Sequence, residues 1–388
     1  MLDWRIKGLW QPDGVAEPAG APNDLFDGAF AWPVLVAKRT ALDHNIATMA
    51  AYCAEHGFSH APHGKTTMSP TLFEAQLRSG AWAITVATAH QLLAARKFGV
   101  SRVIFANQLL DPGPIRWLAN ELGDGFDCLS FVDSVESVRA LSGVPIDVLI
   151  ELGFPGGRAG CRTLEQVVEV ARAIADTPGP KLAGVTAFEG MLPNPQDAAA
   201  YLVRLREAAL ELAGQGLLGS EVIVTAGGSA YFDVVARELG GDWLPGHHLR
   251  IVLRSGAYVT HDHGYYKDKA GRDMFRPALE LWAQVLSTPE PGLAIVGCGK
   301  RDAPQDEGMP VPLWIRDPDG KLSDASACEV TRLNDQHAYV RAPSSAQVRV
   351  GDLMCFGISH PCTAFDKWRV ITVVEDDYAV SEFLETYF

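Results

Sequence analysis

Between residues 58 and 258, short apolar and β-branched runs alternate with stretches of helical spacing. The runs at 58–65, 81–87, 102–106, 126–132, 146–152, 181–188, 221–225 and 249–253 read as strands. Segments at 70–78, 89–98, 164–175 and 197–213 read as helices, the last through a helix-favouring mix of Ala, Leu, Arg and Glu. Strand–helix alternation implies a parallel sheet. Eight strands in this rhythm match a (β/α)8 TIM barrel, favoured over a doubly wound open sheet.

The texture changes after Pro277. Runs at 280–286, 293–297, 327–333, 337–341, 353–357 and 369–375 are separated by Pro, Gly and Asp turns, with no helical spacing between them. This predicts a C-terminal antiparallel β domain. A lone strand at Val34–Lys38 precedes the barrel and is available to that later sheet, and the Gly-, Pro- and Asp-rich segment 299–312 reads as irregular. The expected division is a barrel over 41–275, with 1–40 and 276–388 forming the β domain.

The 388 residues carry a net charge of −14, which argues against a non-specific grip on nucleic acid or an anionic membrane. No apolar run is long enough to span a bilayer, and the N-terminus, charged from Asp3 onward, lacks an apolar signal core. A cytoplasmic location is the resulting expectation. The seven cysteines are odd in number and scattered, which fits reduced thiols better than a disulfide framework.

In such a barrel the site is built at the C-terminal ends of the strands. Lys65 closes the first, within Phe58-Ser-His-Ala-Pro-His-Gly-Lys-Thr-Thr67. An amine fixed there among cationic neighbours can form a Schiff base with an aldehyde cofactor, although a lysine is more often simply solvated. Thr88, His90, Asn107 and Gln108 follow strands two and three, Arg158 follows strand five, and Glu189 ends strand six. Arg158 suits an oxygen or nitrogen of a cofactor ring, or a substrate carboxylate; a structural arginine in a loop is the plain alternative.

Two glycine-rich turns follow strands seven and eight: Gly227, Gly228, Ser229, Ala230 and Tyr231, then Ser255, Gly256 and Ala257. Glycine lets backbone amides approach phosphate oxygens, and barrel phosphate sites recur at this place. The hydroxyls of Ser229 and Ser255 are further candidate donors. Near the C-terminus, His360 and Cys362 offer an imidazole and a thiolate, which suit zinc. A buried cysteine beside a structural histidine would leave the same pair. Asp366 is a candidate outer partner, and His261, Asp262 and His263 are candidate ligands or bases.

Pro62-His-Gly-Lys-Thr66 resembles the cofactor-lysine motif of the D-serine dehydratase and D-threonine aldolase group, fold-type III pyridoxal-phosphate enzymes related to alanine racemase. Residues 153–160 resemble its strand-five arginine loop, 225–231 and 254–262 its two phosphate turns, and His360 with Cys362 its metal pair. The resemblance covers roughly residues 30 to 388. The chain departs from the usual motif at Gly64, where a larger residue is common, and at Thr67-Met68, where His-Lys is common. Glu189, in Phe-Glu-Gly, is a further departure.

The resemblance implies pyridoxal 5'-phosphate on Lys65, a divalent metal near the substrate hydroxyl, and a head-to-tail homodimer. It also implies a small-molecule D-amino acid substrate. Aldolases of the group tend to carry His-x-Asp and the dehydratases His-x-Cys, so Cys362 favours dehydration and deamination of a D-3-hydroxy amino acid such as D-serine, giving a 2-oxo acid and ammonia. Retro-aldol cleavage to glycine and an aldehyde is the alternative, and racemisation the third. A non-enzymatic cofactor-homeostasis protein would share the barrel but not the C-terminal β domain. The expectation that unites these readings is one cavity shared by the amine, both glycine turns and the metal pair.

Overall fold

In the computed structural model, residues 5–10 and 23–388 are described. The remaining parts of the expected 1–40 segment lie outside the described residues. The chain forms two compact units, Met1–Thr48 with Thr66–Leu72 and Ala257–Phe388, and Met49–Lys65 with Phe73–Gly256.

In chain order the elements to residue 253 are β1 (Val34–Lys38), α1 (Arg39–His56), β2 (Ser59–His60), α2 (Pro70–Arg78), β3 (Ile84–Val86), α3 (Ala89–Lys97), β4 (Arg102–Gln108), α4 (Pro112–Glu121), β5 (Asp127–Val132), α5 (Val135–Ala140), β6 (Asp147–Glu151), α6 (Leu164–Asp176), β7 (Lys181–Thr186), α7 (Pro195–Gly214), β8 (Glu221–Ala226), α8 (Phe232–Leu239) and β9 (His248–Leu253). Strands β2 to β9 form an eight-stranded parallel sheet in the order β2-β9-β8-β7-β6-β5-β4-β3. Its ends join through Trp82 N to His60 O (2.7 Å) and Thr85 N to Pro62 O (2.9 Å), which makes it a barrel. Inward side chains fill the interior, among them Ala61, Ile104, Phe131, Leu149 and Val252.

Sequence punctuation sets the helix starts. Thr88, Asp111, Ser134, Thr163 and Asn194 each accept a first-turn backbone N–H through the side chain. Each such cap contributes about 1 kcal/mol. In α6 the buried positions Val167, Val170, Ala171 and Ile174 recur at helical spacing, giving one apolar stripe against the sheet.

The first strand is much shorter than the expected 58–65. Pro62 has no amide to give a ladder, and Gly64–Thr66 tightens into a single 3-10 turn, so Lys65 stands on a turn beyond the strand.

The other unit carries a ten-stranded sheet from β1, β10 (Leu279–Glu290), β11 (Leu293–Val296), β12 (Val311–Arg316), β13 (Leu322–Asp324), β14 (Glu329–Leu333), β15 (Ala338–Arg341), β16 (Leu353–Gly357), β17 (Val370–Val374) and β18 (Val380–Glu385). β1 lies between β10 and β17, antiparallel to the first (Val34↔Trp282) and parallel to the second (Val36↔Thr372). The expected antiparallel domain is therefore mixed, because a strand from before the barrel is threaded into it. β12, β13 and β18 were not legible as strands: β12 contains Pro312, and β13 is short and wholly exposed. Residues 299–310 are irregular, as their composition suggests. All seven cysteines are free, and among the described residues no helix is long and apolar enough to cross a membrane.

Candidate active site

Inside the barrel unit, a cavity of about 160 Å³ gathers Lys65, His63, Asn107, Glu151, Arg158, Phe188, Gly227, Gly228 and Arg254. These side chains come from the far ends of most of the strands, where parallel barrels carry their sites. Four of the expected site residues, Lys65, Arg158, Gly227 and Gly228, thus meet at one place.

Lys65 is positioned by close packing at its neighbour. A β-carbon on Gly64 would lie 2.4 Å from Phe73 Cζ and 3.1 Å from Ile84 Cγ2. The glycine that departs from the family pattern therefore makes room for the Phe73 ring. His63 Nδ1 accepts from Lys65 N at 3.4 Å. Burial, then the charges of Lys65, Arg254 and Arg158, hold this imidazole well below its ordinary pKa, so it stays neutral.

Arg158 rides on a loop knitted by a second arginine. Arg162 donates to the carbonyls of Ala159 (2.9 Å), Gly160 (2.5 Å), Gly157 (3.1 Å) and Arg158. Gly160 has φ +103°, and a β-carbon there would lie 2.6 Å from Gly153 N, so the loop closes on itself only with glycine. The Arg158 guanidinium sits 4.5 Å over the Phe188 ring.

Arg254 is buried and donates to Thr186 Oγ1 (3.2 Å), Thr225 Oγ1 (2.7 Å) and Ala187 O (2.8 Å). Burial lowers its pKa to about 10 against the opposing pull of Glu189 and Glu151, so it remains charged at neutral pH. Glu151 accepts from Gln108 Nε2 at 2.7 Å, and burial raises its pKa. Sequence reasoning misses Glu151 and Phe188 as site residues, and reaches Arg254 only as the start of the second glycine turn and His63 only as a neighbour of Lys65. Their position at strand ends was the one available signal.

The two glycine turns are tied to each other, since Ser255 Oγ donates to Gly227 O at 2.9 Å. That hydroxyl proton is committed to the backbone, contrary to its expected use as an anion donor. Tyr231 OH likewise donates to Leu192 O at 2.9 Å. Ser229, Tyr231, Ser255 and Gly256 stand in the two turns without lining the cavity. The amides of Gly227 and Gly228 do point to an anion, the buried carboxylate of Glu189, at 3.2 and 2.6 Å.

In the other unit, His360 Nδ1 pairs with Asp306 Oδ2 at 2.9 Å, and Asp306 Oδ1 accepts from Thr363 Oγ1 at 2.9 Å. Burial opposes it, but Cys362 and Asp306 together push the His360 imidazole up to about 9. The outer partner of His360 is thus Asp306, not Asp366. Cys362 Sγ lies 4.0 Å from Thr66 Oγ1 and is the one cysteine that is not fully buried. The rings of Tyr265 and Tyr266 flank His360 at 5.5 and 5.8 Å.

Among the described residues, no three or more His, Cys, Asp or Glu side chains are arranged to hold a metal, so His261, Asp262 and His263 do not complete a ligand set. Asp262 instead accepts from Gly264 N and Tyr266 N, and His263 Nδ1 is buried without a hydrogen-bond partner. Ala257 opens a 3-10 turn in this unit, its carbonyl accepting from His261 N at 2.8 Å.

Residues 38–244 match the family described as alanine racemase, N-terminal domain, and residues 278–374 match a putative serine dehydratase domain. A 3-hydroxy-D-aspartate aldolase of Paracoccus denitrificans (strain Pd 1222) is 27% identical over 296 residues, 72% of this chain and 74% of its own length. A D-threonine aldolase of an Arthrobacter species is 23% identical over 358 residues, 89% of each. The crystal structure of D-threonine aldolase from Filomicrobium marinum shares the fold, with a TM-score of 0.79 at 24% identity over 95% of this chain and 98% of that one.

Proposed function

Since the chain belongs to the alanine racemase N-terminal domain family, we propose that it is a pyridoxal-phosphate-dependent lyase acting on a D-3-hydroxy amino acid. The reaction we assign is dehydration and deamination to a 2-oxo acid and ammonia, with D-serine the simplest substrate. The observation that carries this reading is the convergence of Lys65, Arg158, Arg254 and the Gly227–Gly228 amides on one cavity.

The residues fit the cofactor. The amide pair already holds two anionic oxygens, so its geometry suits a phosphate. Gly227 has φ +95°, and a β-carbon there would lie 2.6 Å from Leu253 Cδ2, so the turn admits no side chain. When bound through Lys65, pyridoxal phosphate supplies an electron sink at the substrate α-carbon. Lys65 is the base that takes the α-proton. Arg254, held by two threonines and a carbonyl, keeps a fixed positive charge in the cavity. His63 stays neutral and adds none.

At the second site His360 and Cys362 would offer a divalent metal two donors, and the imidazole–thiol pair favours zinc. Asp306 holds His360 Nδ1, which leaves Nε2 as the donor nitrogen, the arrangement by which an outer carboxylate orients a ligating histidine. His360 and Cys362 would hold the ion, whose Lewis acidity eases loss of a hydroxyl.

Retro-aldol cleavage is the second reading, favoured by the names of the two aldolase relatives. A panel of D- and L-3-hydroxy amino acids, with 2-oxo acid, ammonia, glycine and aldehyde all quantified, separates the two. Ammonia and 2-oxo acid in equal amounts are expected. Glycine with an aldehyde would replace dehydration by aldol cleavage, and no turnover of any D-3-hydroxy amino acid would end the lyase reading.

A further inference from the structure

The cradle amides are not open. Glu189 is wholly buried and engages them with both oxygens, Oε1 accepting from Gly228 N at 2.6 Å and Oε2 from Gly227 N at 3.2 Å. Its backbone is pinned, with Leu192 N donating to Glu189 O at 2.9 Å. The movable part is therefore the side chain.

A carboxylate and a phosphate present the same feature to a pair of amides: anionic oxygens at hydrogen-bond distance. One amide pair cannot serve both, and two anions side by side in a buried space repel each other. We propose that Glu189 is an intramolecular occupant of the anion cradle, and that a phosphate-bearing ligand enters only when its carboxylate leaves Gly227 and Gly228. Without ligand, the arrangement keeps two amides satisfied. The displaced carboxylate has a cation to receive it, since the Arg254 charge already acts on Glu189. Burial raises the Glu189 pKa, and the protonated acid is the weaker acceptor, so exchange is easier as pH falls.

Only the pyridoxal arm of the following test rests on the cofactor reading. Inorganic sulfate is the first probe, because its charge does not change between about pH 6 and pH 8. Calorimetric binding to the full chain is compared for wild type, Glu189→Gln and Glu189→Ala, each checked for a cooperative melt. At about pH 8 both variants are expected to bind sulfate about ten-fold more tightly, the scale of one charged hydrogen bond. Wild-type affinity should rise as pH falls, while that of the variants changes less.

The second probe compares pyridoxal phosphate with pyridoxal by visible absorbance, and only the phosphorylated form should gain from the substitutions. Equal or weaker sulfate binding by a folded variant overturns the proposal, as does an equal gain for pyridoxal. If neither variant folds, the wild-type series decides, and a flat sulfate affinity overturns it. A gain for sulfate with no lysine-linked absorbance in any protein supports the internal occupant and refutes the cofactor reading instead.

Discussion

The edge of the Phe73 ring occupies the space that a side chain on Gly64 would need, 2.4 Å from the position of its β-carbon. Phe73 cannot readily yield, being fully buried and packed edge-on to Phe98 at 5.8 Å between ring centroids. The turn that presents Lys65 is therefore built around a missing side chain. Gly64→Leu should destabilise the fold by about 1–3 kcal/mol through overpacking and displace the lysine turn. A lowered melting temperature with loss of cofactor absorbance is expected; an unchanged melt would show that the packing yields.

Lys65→Ala should abolish the yellow visible absorbance of lysine-bound pyridoxal while the protein still melts cooperatively. Turnover should fall by about 10²–10⁴-fold, the range for loss of a positioned base. Persistence of the same absorbance band in the variant would assign the cofactor link to another amine.

The pairing of Asp306 with His360 makes a selective expectation about metal. Asp306→Ala should weaken zinc binding by about 10–100-fold, whereas Asp366→Ala should leave it within a small factor. Metal titration of both variants measures this directly. Equal losses would restore Asp366 to the role that sequence suggested for it.

Thorough chelation of the wild type should suppress ammonia release and leave the pyridoxal absorbance in place. Full ammonia release from metal-depleted protein would remove the metal from the reaction.

Buried histidine sets an acid limit on stability. His60 Nε2 meets the Ser255 carbonyl at 3.2 Å, and burial lowers its pKa to about 4. The unfolded chain binds its proton near the ordinary value of about 6.5, so stability falls as pH drops below that value and levels off below the folded pKa. At pH 5 this one group destabilises the fold by about 2 kcal/mol relative to pH 8. His60→Gln should therefore lose less stability than wild type between about pH 6.5 and pH 5. Parallel melting-temperature profiles for the two proteins would remove His60 as a cause.

The barrel was legible because its signal is local. Short apolar, β-branched runs and helical spacing are imposed within one element at a time, and the caps Thr88 and Thr163 stand immediately before the helices that the spacing predicts. The placing of Lys65, Arg158 and the Gly227–Gly228 turn at strand ends followed from the same periodicity. Pairings between distant segments carry no such mark. Nothing near Val34–Lys38 says that it lies between Leu279–Glu290 and Val370–Val374. Asp306, 54 residues before His360 and in an irregular segment, has no periodicity to announce its role. The capture of the Gly227 and Gly228 amides by Glu189, and of the Ser255 hydroxyl by Gly227 O, depended on which strand ends came to face each other. Periodicity is a property of neighbours in the chain, while hydrogen-bond partners are chosen by neighbours in space.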